Sequence, residues 1–182
     1  MEFSASAFGT TVRMSEVNAM IDLYNELNAA SVGHVLMTTG FEISARIRVN
    51  RWLSTGLDLH FQQGGAGSDR DRIGTSCSAM LASSSAQFGR LRASLAGGLG
   101  RSGYWFPAAF YESLRGWSPV VCASMGYALP ISEQWSIDAS IRLQWIPVYS
   151  MRDAQGGSYR SRSGPFLSFT GVGLVIGVHW TP

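Results

Sequence analysis

Apolar and polar side chains alternate with period two along most of this chain, the pattern of a strand with two unlike faces. In FEISARIRVN, Phe41, Ile43, Ala45, Ile47 and Val49 oppose Glu42, Ser44, Arg46, Arg48 and Asn50. In the next segment Leu53, Thr55, Leu57, Leu59 and Phe61 oppose Ser54, Gly56, Asp58, His60 and Gln62. From Trp135 onward, Trp135, Ile137, Ala139, Ile141, Leu143 and Trp145 oppose Ser136, Asp138, Ser140, Arg142 and Gln144. Leu91, Ala93, Leu95 and Leu99 likewise oppose Arg90, Arg92, Ser94, Ala96 and Gly98. The alternation predicts eight strands, near 2–12, 38–50, 52–63, 72–84, 88–100, 117–129, 133–147 and 165–180. These exceed the roughly 5–6 residues of ordinary globular strands and suit a membrane crossing, which takes about 9–11 residues plus overhang.

The connections alternate in length. Turns fall near 50–51, 85–87 and 130–133, and long loops over 13–37, 64–71, 101–116 and 148–164. Short turns at one end and long loops at the other are the layout of an up-and-down transmembrane β-barrel. No linker or repeat divides the chain, so residues 1–182 are expected to form one barrel domain. A soluble barrel would turn its apolar set inward and a membrane barrel outward. Eight strands enclose a space just wide enough for side chains, and the small polar set fits it better than the Trp, Phe, Leu and Ile set. Aromatic residues also gather in two bands. Trp52, Phe88, Tyr127, Trp135 and Trp180 lie toward the short turns, and Phe41, Phe61, Trp117, Trp145, Tyr149 and Phe166 toward the long loops. Such bands mark bilayer interfaces.

Charge sharpens this picture. Only 14% of residues are charged, and every one of the 14 basic residues is arginine. A solvated outer face would carry lysine and more charge, whereas arginine suits paired, buried networks. The expected lumen network is Glu42, Arg46, Arg48, Asp58, His60, Arg90, Arg92, Asp138 and Arg142. A net charge of +2 gives no field for nucleic acid. No apolar run approaches the ~18 residues of a membrane helix. MEFSASAFGT lacks a basic region followed by an apolar core, so no signal peptide is expected there.

In the last strand Val172, Leu174, Ile176, Val178 and Trp180 alternate up to a near-terminal aromatic, followed by Thr181 and Pro182. This resembles the C-terminal signature of bacterial outer-membrane barrels. With eight strands, the whole chain resembles the small barrels of the outer membrane protein A, X and W types. The resemblance implies residence in the bacterial outer membrane, periplasmic termini, contact with outer-membrane lipids and lipopolysaccharide, and handling by the barrel-assembly machinery.

Small outer-membrane barrels include lipid A-modifying enzymes, and the resemblance would then imply a serine-hydrolase set. The histidines are His34, His60 and His179, and His60 is followed by Phe61 and Gln62, not by a His-x-Ser pattern. Asp58 and His60 share a face, but a lumen hydrogen-bond network accounts for them. No catalytic residue, metal site or cofactor is therefore expected. By parity Cys77 faces lipid and Cys122 the lumen, which precludes a bridge. In the first loop, SEVNAMIDLYNELNAAS reads as a helix capped at Ser15, with Val17, Met20, Ile21, Tyr24 and Leu27 on one face. That face suits a cap on the barrel rim, a partner surface, or a plug. Tyr104, Trp105, Phe106 and Phe110 in the third loop are further candidate contacts with partners or lipid. Arg152, Arg160 and Arg162 are candidate phosphate contacts.

The expected protein is thus an integral outer-membrane barrel with a side-chain-filled polar lumen. Its expected role is non-enzymatic: structural, adhesive, or a subunit of an envelope complex. The alternatives are a narrow channel using lumen space at Gly56, Gly74, Ser76, Ser78, Gly98 and Gly126, an outer-leaflet lipid-modifying enzyme, and a soluble ligand-binding barrel.

Overall fold

A computed structural model describes residues 1–28, 30–67, 73–105, 114–160 and 164–182. Eight long strands form the barrel: β1 Glu2–Val12, β2 Met37–Arg48, β3 Leu53–Ala66, β4 Ile73–Phe88, β5 Leu91–Trp105, β6 Leu114–Pro130, β7 Trp135–Trp145 and β8 Gly171–Trp180. Each pairs antiparallel with its chain neighbours. The ring closes through β1 and β8, in register from Phe3↔Trp180 to Val12↔Gly171. Closure pairs each of the eight long strands on both sides, as a chain in lipid requires. No described helix is long and apolar enough to cross a membrane, a statement that does not bear on strands.

The alternation decides which side chains point out. Leu57, Leu59, Leu95, Leu99, Ile141, Leu143, Leu174 and Ile176 are all exposed, whereas Asp58, His60 and Arg142 on the same strands are buried. The apolar wall is bounded by aromatics. At the end carrying the hairpin turns and both termini, Trp52 lies against Phe88, and Phe3, Trp180 and Trp135 form a row with centroid spacings of 5.7 and 6.1 Å. At the loop end Phe41 stacks on Phe61, and Trp117 and Trp145 are exposed. Tyr127 and Trp117 of β6 are ten residues apart, as are Trp135 and Trp145 of β7. That is ~33 Å along a strand, or about 25 Å in height at a tilt of ~40°, the height of an outer-membrane apolar band.

Several details differ from the sequence expectation. The β4–β5 turn lies at Gly89–Arg90, not near 85–87, with Phe88 paired to Leu91. Gly89 takes φ +61°, a conformation that glycine allows and that a tight hairpin demands. Arg90 is therefore a turn residue outside the lumen network, donating to the Tyr127 hydroxyl at 3.2 Å. Cys77 points inward and is buried, because Ala79, Leu81 and Ser83 form the inner face of β4 while Ser76, Ser78 and Met80 face out. Gly74, Ser76 and Ser78 consequently provide no lumen space. With small residues on both faces of β4, the periodicity carried little information there. The last strand begins at Gly171 rather than near 165, because Leu167–Ser168 folds back to pair with Pro147–Val148. Phe166 accordingly leaves the loop-end band and meets Tyr104 edge-on at 6.4 Å.

The helix α1, Ser15–Asn28, forms where amphipathicity predicts it. Val17, Ile21 and Tyr24 enter an apolar cluster at the loop end together with Val35, Ile73, Tyr104, Leu114, Ile146, Val148, Met151, Leu167 and Phe169. Asn18 accepts the Val35 amide at 2.9 Å, and Asn25 both accepts the Val32 amide and donates to its carbonyl, pinning the returning chain to the helix.

Candidate functional site: a two-part lumen closed by a helix

The polar groups run in tiers up β2 from the hairpin end. In the first tier Arg48 donates to Glu2 at 2.8 and 3.0 Å, and Ser54 donates to the same carboxylate. Arg48 is half exposed, so this pair sits at the mouth. In the second, Arg46 donates through Nη2 to both Asp58 oxygens at 3.1 and 3.0 Å, and through Nε to Ser83. Ser83 in turn donates to Asp58 at 2.7 Å. In the third, Arg142 reaches across the lumen to Glu42 at 2.9 Å. Its guanidinium also lies 4.7 Å from the centre of the Phe8 ring, which stacks on His60 at 4.9 Å. A Cβ at Gly40 would come within 2.5 Å of that ring, so the glycine is what lets Phe8 lie flat against the wall. A separate cluster joins β5, β7 and β8, where Asp138 meets Arg92 at 2.8 Å and His179 at 2.7 Å.

Glu2, which alternation also puts on the polar face, joins the network, as do His179, Ser83, Gln62 and Gln144, which were not expected in it. His179 was legible in principle, since it shares the inward parity of Val175 and Gly177 on β8. Gln62 and Gln144 form the top tier, Gln144 donating to the Gln62 Oε1 at 3.0 Å and Gln62 donating to Thr38. Buried charge is tolerable only when paired in this way. Arg142 Nε and Nη1 and Asp138 Oδ1 lack a partner among the described residues. Both residues line a cavity of about 40 Å³ with Ser4, Ser6, Ser140 and His179, a size suited to about three waters.

The lumen is not polar throughout, contrary to expectation. On its β4–β6 side Cys77, Ala79, Leu81, Ala96, Val120 and Cys122 line it beside the ion pairs, with Leu81 opposite Asp58 and Ala79 opposite His60 in the register. The α1 cluster closes the loop end, where Ile146, Val148, Met151, Leu167 and Phe169 are buried. This also changes the role of the candidate contact residues. Val17, Ile21, Tyr24 and Tyr104 are buried and present no surface to a partner; Met20, Leu27 and Trp105 remain exposed. Phe106, Phe110 and Arg162 lie outside the described residues.

His60 is fully buried between Glu42 at 3.3 Å and Gln62 at 3.2 Å. Asp58 is turned to Arg46 and Ser83, so Asp58, His60 and a serine do not assemble into a hydrolase set. No described group of three or more His, Cys, Asp or Glu is placed to hold a metal. Cys77 and Cys122 are unbridged.

No protein-family model matches the sequence, and no curated protein matches it significantly. Solved structures do match in shape. Neisserial surface protein A superposes with a TM-score of 0.56 at 12% identity, covering 98% of this chain and 95% of its own. The attachment invasion locus protein Ail of Yersinia pestis, solved with the heparin analogue sucrose octasulfate, gives 0.57 at 13% identity over 98% and 97%. At such identities the likeness concerns the fold alone, and the fold of this chain is that of the small eight-stranded outer-membrane β-barrels.

Proposed function

We propose that the protein is an integral outer-membrane barrel that works through its outer wall and loop crown rather than through its interior. In this reading it is non-enzymatic and serves as a structural, adhesive or envelope-complex subunit. The carrying observation is the pairing of a lipid-matched wall with a blocked interior. The wall is apolar between two aromatic belts, while ion pairs and the apolar side chains of β4–β6 beside them fill the lumen and the cluster with α1 closes its loop end. The termini and hairpin turns are periplasmic and the long loops outside, the orientation that usually goes with short turns at one end. The alternating β8 edge up to Trp180 is the segment offered to the barrel-assembly machinery.

A narrow channel would need a continuous polar path, and the Leu81, Val120 and Ile21 cluster interrupts it. The test is reconstitution into a planar bilayer. The proposal expects insertion without a steady open conductance. A stable open state would overturn the blocked interior, and failure to enter phosphatidylcholine vesicles would overturn the membrane reading itself. Mass spectrometry of lipid A from cells with and without the protein addresses the enzymatic alternative, with no difference expected.

A further inference from the structure

The barrel wall is taller on one side. Strands β3 to β6 have 14 to 17 residues, whereas β7 and β8 have 11 and 10. The upper part of β6 therefore has no β7 beside it and meets the short strand Ser150–Arg152 instead. There, on the outer face, three arginines converge. Arg115 stands directly opposite Arg152. Arg101 pairs with Trp117, one outward position along β6 from Arg115. Together with Gly116, Trp117 and Ser150 they line a groove of about 380 Å³.

Like charges directly opposite one another on neighbouring strands are destabilising, so this register asks for a counter-anion. The protein supplies none among the described residues: neither a hydrogen bond nor an ion pair joins any of the three to a carboxylate. The adjacent acid, Asp153, is turned to its own bend, accepting from the Gly157 amide at 2.7 Å and the Tyr159 hydroxyl at 3.2 Å. Six other described arginines are partnered. Arg46, Arg48, Arg92 and Arg142 hold carboxylates, and Arg51 and Arg90 lie over the Trp52 and Tyr127 rings.

We propose that Arg101, Arg115 and Arg152 form a binding site for the phosphate groups of a phosphorylated glycolipid in the surrounding leaflet. The inference rests on the membrane reading above. Position selects a lipid as the occupant. Arg101 and Arg115 share the outward parity of Leu99, Trp117 and Val121, and Trp117, 69% exposed, places the groove at the loop-end interface. Arginine is costly at the bilayer midplane and nearly free near the headgroups. Three guanidinium forks can engage phosphate oxygens in pairs, which ammonium groups do not match. The indole of Trp117 then lies along the sugar or the first acyl carbons.

The test uses the full chain folded in zwitterionic detergent and titrated with diphosphorylated lipid A, with chemically dephosphorylated lipid A and inorganic phosphate as separate arms. The proposal expects the triple variant R101Q/R115Q/R152Q to lose roughly tenfold or more in affinity. It expects dephosphorylated lipid A to bind comparably weakly, and millimolar phosphate not to displace the lipid. A control variant, R51Q/R90Q, should bind as the wild type does. Equal binding by the triple variant, equal binding of dephosphorylated lipid, or displacement by free phosphate would each overturn it. Should the triple variant not fold, Arg152→Gln alone, on a short strand outside the barrel ring, carries the same comparison. Insertion into phosphatidylcholine vesicles is measured in parallel. A wild-type protein that does not insert sinks the membrane reading, whereas one that inserts but binds independently of the arginines sinks only this site.

Discussion

Arg46 and Asp58 are 7% and 1% exposed, and each is the other's only ionic partner among the described residues. Removing the guanidinium leaves a carboxylate with one serine donor in a space that admits little water. Arg46→Ala is therefore expected to cost about 3–5 kcal/mol, less whatever lumen water recovers. Arg160→Ala, at an exposed position of the loop strand Ser158–Arg160, should be near silent. Urea unfolding in vesicles measures both, and equal midpoints would refute the buried pair. This pairing was legible in the sequence, since one tight hairpin joins β2 to β3 and fixes which inward residues are neighbours. The partners of Arg142 and Arg92 were not, because Arg142 and Glu42 are 100 residues apart and meet only across a closed ring. Arg90 was misplaced for a local reason: sliding the QFGRLR turn by a few residues moves an arginine out of the lumen.

At the scale of elements, a strand's two faces answer to different solvents. Ile141, exposed on the wall of β7, and Ser140, half-buried and facing the cavity, are adjacent residues with opposite duties. Ile141→Arg should destabilise the inserted barrel by about 2–4 kcal/mol if it lies at the midplane, and Ser140→Ala by little. Comparable losses from both would invert the wall assignment. The helix is tested in the same manner. Ile21 is fully buried and Leu27 is 71% exposed, so Ile21→Ala should cost about 2–5 kcal/mol and Leu27→Ala almost nothing. Differential urea midpoints for the two variants check this. Amphipathicity revealed the existence of α1 and, in Val17, Ile21 and Tyr24, the middle of its buried face, whereas Met20 and Leu27, expected on the same face, are exposed. Its destination was hidden, since the Ile146, Met151, Leu167 and Phe169 side chains that receive it come from a loop without periodicity.

At the scale of the whole molecule, strand number, closure and the outward wall were all legible, because alternation recurs in most of the eight strands and tolerates one, β4, that lacks it. The oblique rim and the apolar loop end were not, since both involve segments without alternation, Pro147–Val148, Ser150–Arg152 and Leu167–Ser168. On the proposed orientation, trypsin added to intact cells should cut within the long loops and spare Arg51 and Arg90 in the hairpin turns. Cleavage after Arg51 from outside would reverse the topology.

The tiered ion pairs also bear on how such a chain gets into a bilayer. Arg142 and Glu42 belong to strands separated by β8 and β1, and Arg92 and Asp138 to strands separated by β6. In a sheet still open between β1 and β8, Arg142 and Glu42 lie at its opposite ends, Arg142 with no counterion and Glu42 with His60 alone, and hydrocarbon surrounds both. Every half-zipped form inside the membrane therefore carries bare charge, while the finished ring carries almost none. Insertion and ring closure are thus coupled into one cooperative event, and a hairpin or half-barrel cut from this chain has no stable place in lipid.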